Sequence, residues 1–174
     1  ARGARYQPDG AYDKVLLTGG TGFLGAYLIA EILDTTAAEV YCLVRPKRGE
    51  SGKQRIERQM RRYAVWRDDE RWHSNWRTRL HVVDGDVTLP RLGLTDAAYE
   101  TLAREIDAVL HGAAHVNFIY PYEALRGTNV LGLHEIIRFA FDTRIKPVHH
   151  LSTAAIWPMG AQHTFFEKDP IEHG

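Results

Sequence analysis

Cysteine is almost absent from the 174-residue sequence, which contains only Cys42. A single thiol excludes an internal disulfide bond, and this favours the reducing cytoplasm. No apolar run approaches the roughly 20 residues of a membrane span, and no signal peptide is recognisable. Net charge is lacking too, since 22 basic residues balance 22 acidic ones and nothing favours nucleic acid as a partner. Because the first residue is Ala1 rather than methionine, we expect a piece of a longer protein.

A glycine-rich turn follows the first apolar run, Val15 to Leu17, which predicts a buried strand. Gly19, Gly22 and Gly25 are spaced three apart and lead into an apolar pattern with helical spacing. Such glycines permit a tight turn, let the backbone approach a pyrophosphate and let the helix pack closely, while the helix N-terminus offers N–H groups to the phosphates. The candidate cofactor contacts of this segment are Thr18, Gly19, Gly22, Phe23, Leu24 and Gly25.

The glycines are spaced G-x-x-G-x-x-G. The alternative to phosphate binding is a turn that only joins a strand to a helix. The strand before it and the helix after it favour the phosphate-binding interpretation. A P-loop is excluded, because no Gly-Lys-Ser or Gly-Lys-Thr follows the glycines.

Arginine stands at the end of the second predicted strand, where Glu39 to Val44 is followed by Arg45. An acidic residue at this position binds the ribose hydroxyls of NAD, whereas an arginine suits the 2′-phosphate of NADP. Arg55, with Lys47 and Arg48, adds positive charge nearby. We therefore predict NADP(H) as the cofactor and Arg45 and Arg55 as contacts. The alternative is an ordinary exposed arginine at a strand end.

Residues 50–79 combine many charges with three tryptophans, Trp66, Trp72 and Trp76. Their apolar spacing predicts one long second helix plus an insertion. Basic residues among aromatics also occur in single-stranded nucleic-acid sites, but the acidic residues 68–70 interrupt the basic run. We therefore expect a solvated amphipathic helix and no nucleic-acid partner.

The third predicted strand begins at Arg79 and ends in Asp84-Gly85-Asp86-Val87. Asp86 stands where the strand leaves the sheet. Its carboxylate could accept the amino group of adenine, and the Val87 N–H could pair beside it. The alternative is an aspartate that only forms the turn. A short helix, Asp96 to Glu105, is predicted to follow.

Small residues follow the fourth predicted strand, which begins at Ala108. Ala113 and Ala114 would let a ribose and a diphosphate lie against the backbone, with His115 beside them. His111 and His115 are four residues apart, but a strand followed by a loop puts them on no common helical face. Because no third ligand has clear spacing, we predict no metal site.

One long helix is predicted from Tyr122 to Asp142. Asn129 interrupts its apolar face, and the side chain would either cap a neighbouring loop or order water and a catalytic lysine. A last strand, Val148 to Thr153, brings Thr153 to the sheet edge where ligands bind. Its hydroxyl would bond a substrate carbonyl, or it would only satisfy an exposed strand end. The predicted apolar face of the helix is Leu125, Val130, Leu133, Ile136, Ile137, Ala140 and Phe141.

Strands and helices alternate five times, which predicts an α/β fold with a Rossmann-type doubly wound parallel sheet. We assign residues 1–13 to a linker and 14–174 to one nucleotide-binding domain. Within that domain, residues 157–174 are predicted to be a loop-rich tail.

Taken together, the motifs resemble the thioester reductase domains of nonribosomal peptide synthetases and carboxylic acid reductases, in the extended short-chain dehydrogenase/reductase superfamily. The resemblance covers residues 14–157. The block 111–132 is the specific part, while the glycines alone indicate only the superfamily; Leu133 stands where the family usually has threonine. The motifs are VLLTGGTGFLG (15–25), VYCLVR (40–45), GDVTLPRLGL (85–94), HGAAHVNFIYPYEALRGTNVLG (111–132) and LSTAAIW (151–157).

This resemblance implies NADPH-dependent release of an acyl or peptidyl thioester, held on the phosphopantetheine arm of a carrier protein, as an aldehyde or an alcohol. Thr153 matches the family's catalytic threonine, which works with a tyrosine and a lysine spaced Tyr-x-x-x-Lys. No such pair occurs here, and no tyrosine follows Tyr122. The resemblance thus implies a truncated domain without the later strands and the substrate subdomain. We expect little or no reductase activity from this polypeptide alone.

Two alternatives remain open. A nucleotide-sugar epimerase or dehydratase of the same superfamily would favour NAD and an acidic residue in place of Arg45. A non-catalytic NADP-binding module would account for the missing tyrosine and lysine.

Overall fold

The computed structural model describes residues 12–153 together with Thr164 and Phe166. Apart from Tyr12 and Asp13, the predicted linker lies outside the described residues. The predicted tail does so as well, apart from the two isolated residues named above.

The described residues contain five parallel strands: β1 (Lys14–Thr18), β2 (Glu39–Val44), β3 (Leu80–Asp84), β4 (Ala108–His111) and β5 (Val148–His150). They form one sheet in the order β3-β2-β1-β4-β5. The chain winds from β1 through β2 to β3 on one side and returns to β4 on the other, so the winding reverses between β1 and β4. In its register Leu16 pairs with Tyr41 on one side and with Val109 on the other. This is the predicted doubly wound sheet, whose ligand crevice lies at that reversal point.

Helices cover both faces of the sheet. α1, α2 and α3 pack on one face with Val15 and Leu17, while α4 and α6 pack on the other with Leu16. Because both faces are covered, β1 is apolar along its whole central part rather than alternating. The helices are α1 (Phe23–Thr35), α2 (Gly52–Arg62), α3 (Glu70–Arg79), α4 (Asp96–Glu105), α5 (Tyr122–Arg126) and α6 (Gly132–Phe141).

The charged segment forms two helices, α2 and α3, whereas the sequence predicted one long helix plus an insertion. The second helix has its own N-cap, since the Asp69 carboxylate accepts a hydrogen bond from the Trp72 N–H at 2.8 Å. Trp72 and Trp76 are only 2% and 6% exposed and join the core beneath α1. Their indoles anchor α3 to the core while Glu70, Arg71 and Arg77 are exposed, as expected for a solvated amphipathic helix.

The predicted helix from Tyr122 to Asp142 runs without interruption from Tyr122 to Phe141, but it contains a π-helical turn at Gly127–Leu131, between α5 and α6. The Gly132 N–H donates to the Gly127 carbonyl, five residues back. The wider turn changes which positions face the sheet. In α6 the buried apolar side chains are Ile136, Phe139 and Ala140, whereas Ile137 and Phe141 of the predicted apolar face are exposed.

Candidate cofactor site

A cavity of about 200 Å³ opens at the carboxyl ends of β1, β2 and β4, the point where the winding of the sheet reverses. This is the crevice in which open α/β sheets bind their ligands. Its wall combines the glycine turn, the end of β2, the Asp86 turn and the loop after β4. It is lined by Thr18, Gly19, Thr21, Gly22, Leu43, Val44, Arg45, Arg55, Gly85, Asp86, Val87, Gly112, Ala113, Ala114 and Thr128.

Two glycines of the turn are required by close approaches of the backbone. Gly19 has φ +80°, and a Cβ there would lie 2.5 Å from the Gly112 carbonyl oxygen. A Cβ on Gly25 would lie 2.2 Å from the Gly19 carbonyl oxygen. Both distances are far shorter than any real carbon–oxygen contact, so the β1 turn can touch the β4 loop and α1 only because both residues lack a side chain.

The N-terminus of α1 points an uncapped turn at this cavity. Gly22, a cavity-lining residue, is the N-cap and has no side chain to bond the first N–H groups, and the first turn contains no acidic residue. An anion is the natural partner for such a terminus. Phe23 and Leu24 are 59% and 47% exposed and do not line the cavity.

Positive charge lies at the end of β2. Arg45 and Arg55 both line the cavity, and the Arg55 guanidinium donates to the Arg45 carbonyl oxygen at 2.5 Å. This bond ties α2 to the end of the strand and fixes the Arg55 guanidinium against the Arg45 backbone. The pair offers planar donors suited to a phosphate monoester.

Asp86 and Val87 also line the cavity. One of its carboxylate oxygens, Oδ1, accepts from the Thr88 N–H at 2.9 Å and from the Thr88 hydroxyl at 2.8 Å. Asp86 thus forms the turn, which was one of the two roles open from the sequence. It also borders the cavity, as the other role, a contact with adenine, requires.

The β4 loop is fixed by a buried polar chain. The Ala113 N–H donates to the Thr18 hydroxyl at 3.1 Å, and this hydroxyl lies 2.8 Å from His111 Nδ1. Burial, with a smaller effect of the neighbouring His150, lowers the pKa of His111 to about 4. The ring is therefore neutral at pH 7, and one hydrogen is shared between His111 Nδ1 and the Thr18 hydroxyl oxygen. Thr18 acts on the cavity through this chain, since its side chain is 1% exposed.

Asn129 of the π turn grips the loop after β4. The His115 N–H donates to Asn129 Oδ1 at 2.7 Å, and Asn129 Nδ2 donates to the His115 carbonyl oxygen at 3.0 Å. Of the two roles open from the sequence, the structure shows the loop cap. The same turn brings Thr128 to the cavity.

β5 ends at His150, three residues earlier than the predicted strand end at Thr153. Thr153 is exposed. Sequence reasoning missed Thr21 and Thr128 among the lining residues. Thr21 lies inside the glycine motif and Thr128 precedes Asn129, so adjacency to a predicted site residue could have indicated both. Among the described residues, the predicted site residues outside the cavity lining are Phe23, Leu24, Gly25, His115, Asn129 and Thr153.

These features fit a dinucleotide. An uncapped helix terminus, a glycine turn, a carboxylate and two guanidinium groups converge on one cavity, whereas among the described residues no cluster of three metal-ligating side chains occurs. No helix within the described part of the chain has the length and apolarity to cross a membrane. Fold and cavity together define an open α/β nucleotide-binding protein.

Comparison with known proteins then identifies the family. The family model described as "Male sterility protein" matches residues 17–172, and the chain belongs to this family, which binds a nucleotide cofactor. The chain is 44% identical over 142 residues to a component of the linear gramicidin synthase of Brevibacillus parabrevis, covering 82% of this chain and 3% of that protein.

Solved structures agree with this assignment. The terminal R domain of the myxalamid PKS-NRPS pathway is 43% identical with a TM-score of 0.83, over 93% of this chain and 40% of that one. A thiolation-reductase di-domain of an archaeal nonribosomal peptide synthetase is 27% identical with a TM-score of 0.66, over 85% of this chain and 30% of that one. The chain therefore spans less than half of the relatives that it matches. Its homologues are terminal reductase domains of the extended short-chain dehydrogenase/reductase superfamily, which confirms the resemblance.

A UDP-glucuronic acid 4-epimerase of Bacillus cereus shares the fold at 19% identity, with a TM-score of 0.57 over 90% of this chain and 44% of that one. Likeness at this level shows the fold alone. The epimerase alternative is thus the more distant of the two interpretations.

Proposed function

We propose that this chain is the nucleotide-binding part of an NADPH-dependent reductase domain that releases a carrier-bound acyl or peptidyl thioester as an aldehyde or an alcohol. The observation that carries the proposal is the cavity of about 200 Å³, with its glycine turn and two arginines, in a chain so similar to part of a gramicidin synthase. In this proposal residues 14–174 are the nucleotide-binding domain and 1–13 the linker that leads to it, in the cytoplasm.

Each part of the cavity has a task in binding. The N–H groups at the start of α1 and the glycine turn would hold the diphosphate. Asp86 would accept the adenine amino group, while Ala113 and Ala114 would leave room for the ribose on the nicotinamide side. The bound nucleotide would supply the hydride, and the chain's own residues would position it.

We assign the choice of NADP over NAD to Arg45 and Arg55. A charge-assisted hydrogen bond is worth about 1.5–3 kcal/mol, so we expect Arg45→Gln to weaken NADPH binding roughly ten- to hundredfold and to leave NADH binding unchanged. Arg48→Gln is the matched control, since Arg48 is an exposed arginine outside the cavity lining. Equal losses for NADPH and NADH in the Arg45 variant would contradict the assignment.

The catalytic step needs more than these residues. Thr153 is the candidate donor to the thioester carbonyl oxygen, but the 174 residues contain no Tyr-x-x-x-Lys pair. Without the tyrosine and lysine, a hydrogen bond from Thr153 alone would stabilise the developing alkoxide, so reduction by this polypeptide should be very slow. The proposal fits a fragment whose tyrosine and lysine lie in further residues of the parent protein.

The substrate side of the proposal includes a carrier protein. A thioester on a phosphopantetheine arm must be delivered by its carrier, and the archaeal relative joins a thiolation domain to a reductase domain in one solved structure. We therefore propose a phosphopantetheinylated acyl or peptidyl carrier as the partner.

A second candidate, a non-catalytic NADP-binding module, is favoured by the missing tyrosine and lysine. Turnover separates the two candidates when the chain is assayed with and without the segment that follows it in its parent gene. We expect NADPH oxidation with an acyl-pantetheine thioester only with that segment. Absence of turnover in both, with NADPH bound in both, would favour the non-catalytic module.

A further inference from the structure

A left-handed turn lies directly beside the proposed adenine position. Arg91, Leu92 and Gly93 have φ values of 53°, 59° and 68°, three successive residues in the left-handed region. Glycine takes this conformation readily, but arginine and leucine avoid it because the Cβ crowds the following carbonyl. Such strain persists only where surrounding contacts enforce it, and it often marks a functional site.

Three contacts hold the turn in place. The Leu92 side chain is fully buried in the core between α4 and α6. The Arg91 N–H donates to the Glu135 carboxylate of α6 at 3.0 Å. The Arg91 guanidinium lies 2.8 Å from an Asp96 carboxylate oxygen and 4.1 Å above the Tyr99 ring. The Leu92 side chain, the Arg91 backbone and the Arg91 guanidinium thus each contact a different part of the fold.

The turn contacts the backbone of Asp86. The Leu92 carbonyl accepts the Asp86 N–H at 2.8 Å. A Cβ on Gly93 would stand 3.2 Å from the Asp86 nitrogen, and one on Gly85 would stand 2.6 Å from the Leu92 carbonyl oxygen. The turn is therefore in close contact with the backbone on the N-terminal side of Asp86.

We infer that the turn Pro90–Gly93 is a positioning element that sets Asp86 for recognition of the exocyclic amino group of the purine. The inference rests on the proposed nucleotide site. It makes Leu92 and Gly93 positioning residues: they would act on the nucleotide only through Asp86. Discrimination between adenine and a purine without the amino group, rather than overall affinity, is the property that they should control.

The test compares NADPH with its deamino analogue, in which hypoxanthine replaces adenine. Dissociation constants for both are measured by fluorescence titration of the full chain. We expect the unchanged protein to prefer NADPH about tenfold, as a hydrogen bond to a charged group predicts. Gly93→Ala should reduce this preference to within about twofold, because the new Cβ displaces the Asp86 nitrogen.

Gly49→Ala is the matched control. Gly49 has φ +78°, and an added Cβ would meet nothing within 4 Å, so the variant carries similar backbone strain without touching Asp86. It should retain the tenfold preference. Glu135→Ala, which removes the acceptor of the Arg91 N–H, should lower the preference as Gly93→Ala does, and it decides the question if Gly93→Ala fails to fold.

The outcomes are distinct. A folded Gly93→Ala or Glu135→Ala variant that keeps the full preference overturns the inference. An unchanged protein that binds NADPH and its deamino analogue equally overturns it too, while the proposed nucleotide site stands. An unchanged, folded protein that binds neither overturns the proposed function itself.

Discussion

Acidification should weaken this fold through one buried histidine. His111 is 1% exposed, and its Nδ1 lies 2.8 Å from the Thr18 hydroxyl. Burial lowers its pKa from 6.5 to about 4 in the folded protein. Between these two values the unfolded chain binds a proton that the folded protein does not. The free energy of unfolding must therefore fall as the pH drops from about 6.5 towards about 4, and the effect is complete below the folded pKa.

The size of the effect follows from the two pKa values. The full difference corresponds to about 3 kcal/mol, of which about 2 kcal/mol should be lost between pH 7 and pH 5. For a domain with a stability of roughly 5–15 kcal/mol this is a large fraction. Protonation would also put a positive charge beside the buried Thr18 hydroxyl and disturb the hydrogen bonds of that hydroxyl. Because this hydroxyl holds Ala113, nucleotide affinity should decline over the same pH range.

Urea unfolding at pH 7 and pH 5 measures the effect. The Asn side chain of His111→Asn offers a donor and an acceptor to Thr18 and cannot titrate. The unfolding free energy of this variant should be lower than that of the unchanged protein at pH 7 but should vary less with pH by about 2 kcal/mol. His134→Asn, on the exposed face of α6, is the control and should keep the full pH dependence. An unaltered pH dependence in His111→Asn would refute the reasoning.

Three further predictions concern single side chains. Gly25→Ala should destabilise the fold by about 2 kcal/mol or more, because the added Cβ would collide with the Gly19 carbonyl oxygen. Gly127→Ala is the control: an added Cβ there meets nothing within 4 Å, so this variant should be neutral or more stable by up to about 1 kcal/mol. Thermal melts of the two variants measure the difference. Asn129→Ala removes both bonds to the backbone of the β4 loop and should weaken NADPH binding several-fold in a fluorescence titration, an effect that unchanged affinity would contradict. Cys42 is fully buried and burial raises its pKa to about 12, so a thiol reagent should modify it only after denaturation; rapid labelling of the folded protein would contradict the core packing.

Local chemistry made much of this fold predictable. β2 and α4 have the predicted bounds, Glu39–Val44 and Asp96–Glu105, because apolar runs and helix signals decide such elements within a few residues. Arg45 was placed at the cavity by its position at a strand end, and the winding of the sheet follows from the alternation of elements.

The failures share a physical cause, which is packing between distant segments. Burial of Trp72 and Trp76 under α1 overrides the charged pattern around them. The π turn depends on the loop that Asn129 grips, and no periodicity in the sequence announces an extra residue in a helical turn. Leu92 takes a left-handed conformation that its own preference opposes, and only contacts with α4 and α6 explain it.

The central claim is that the cavity at the end of β1 binds NADP(H). Its most direct measurement is an equilibrium titration of the unmodified chain with NADPH and with NADH, followed by fluorescence, with circular dichroism to establish that the sample is folded. The account predicts saturable binding of NADPH at least about tenfold tighter than that of NADH, as expected for one charge-assisted contact to the 2′-phosphate. A folded sample that binds neither nucleotide, or that prefers NADH, would contradict it.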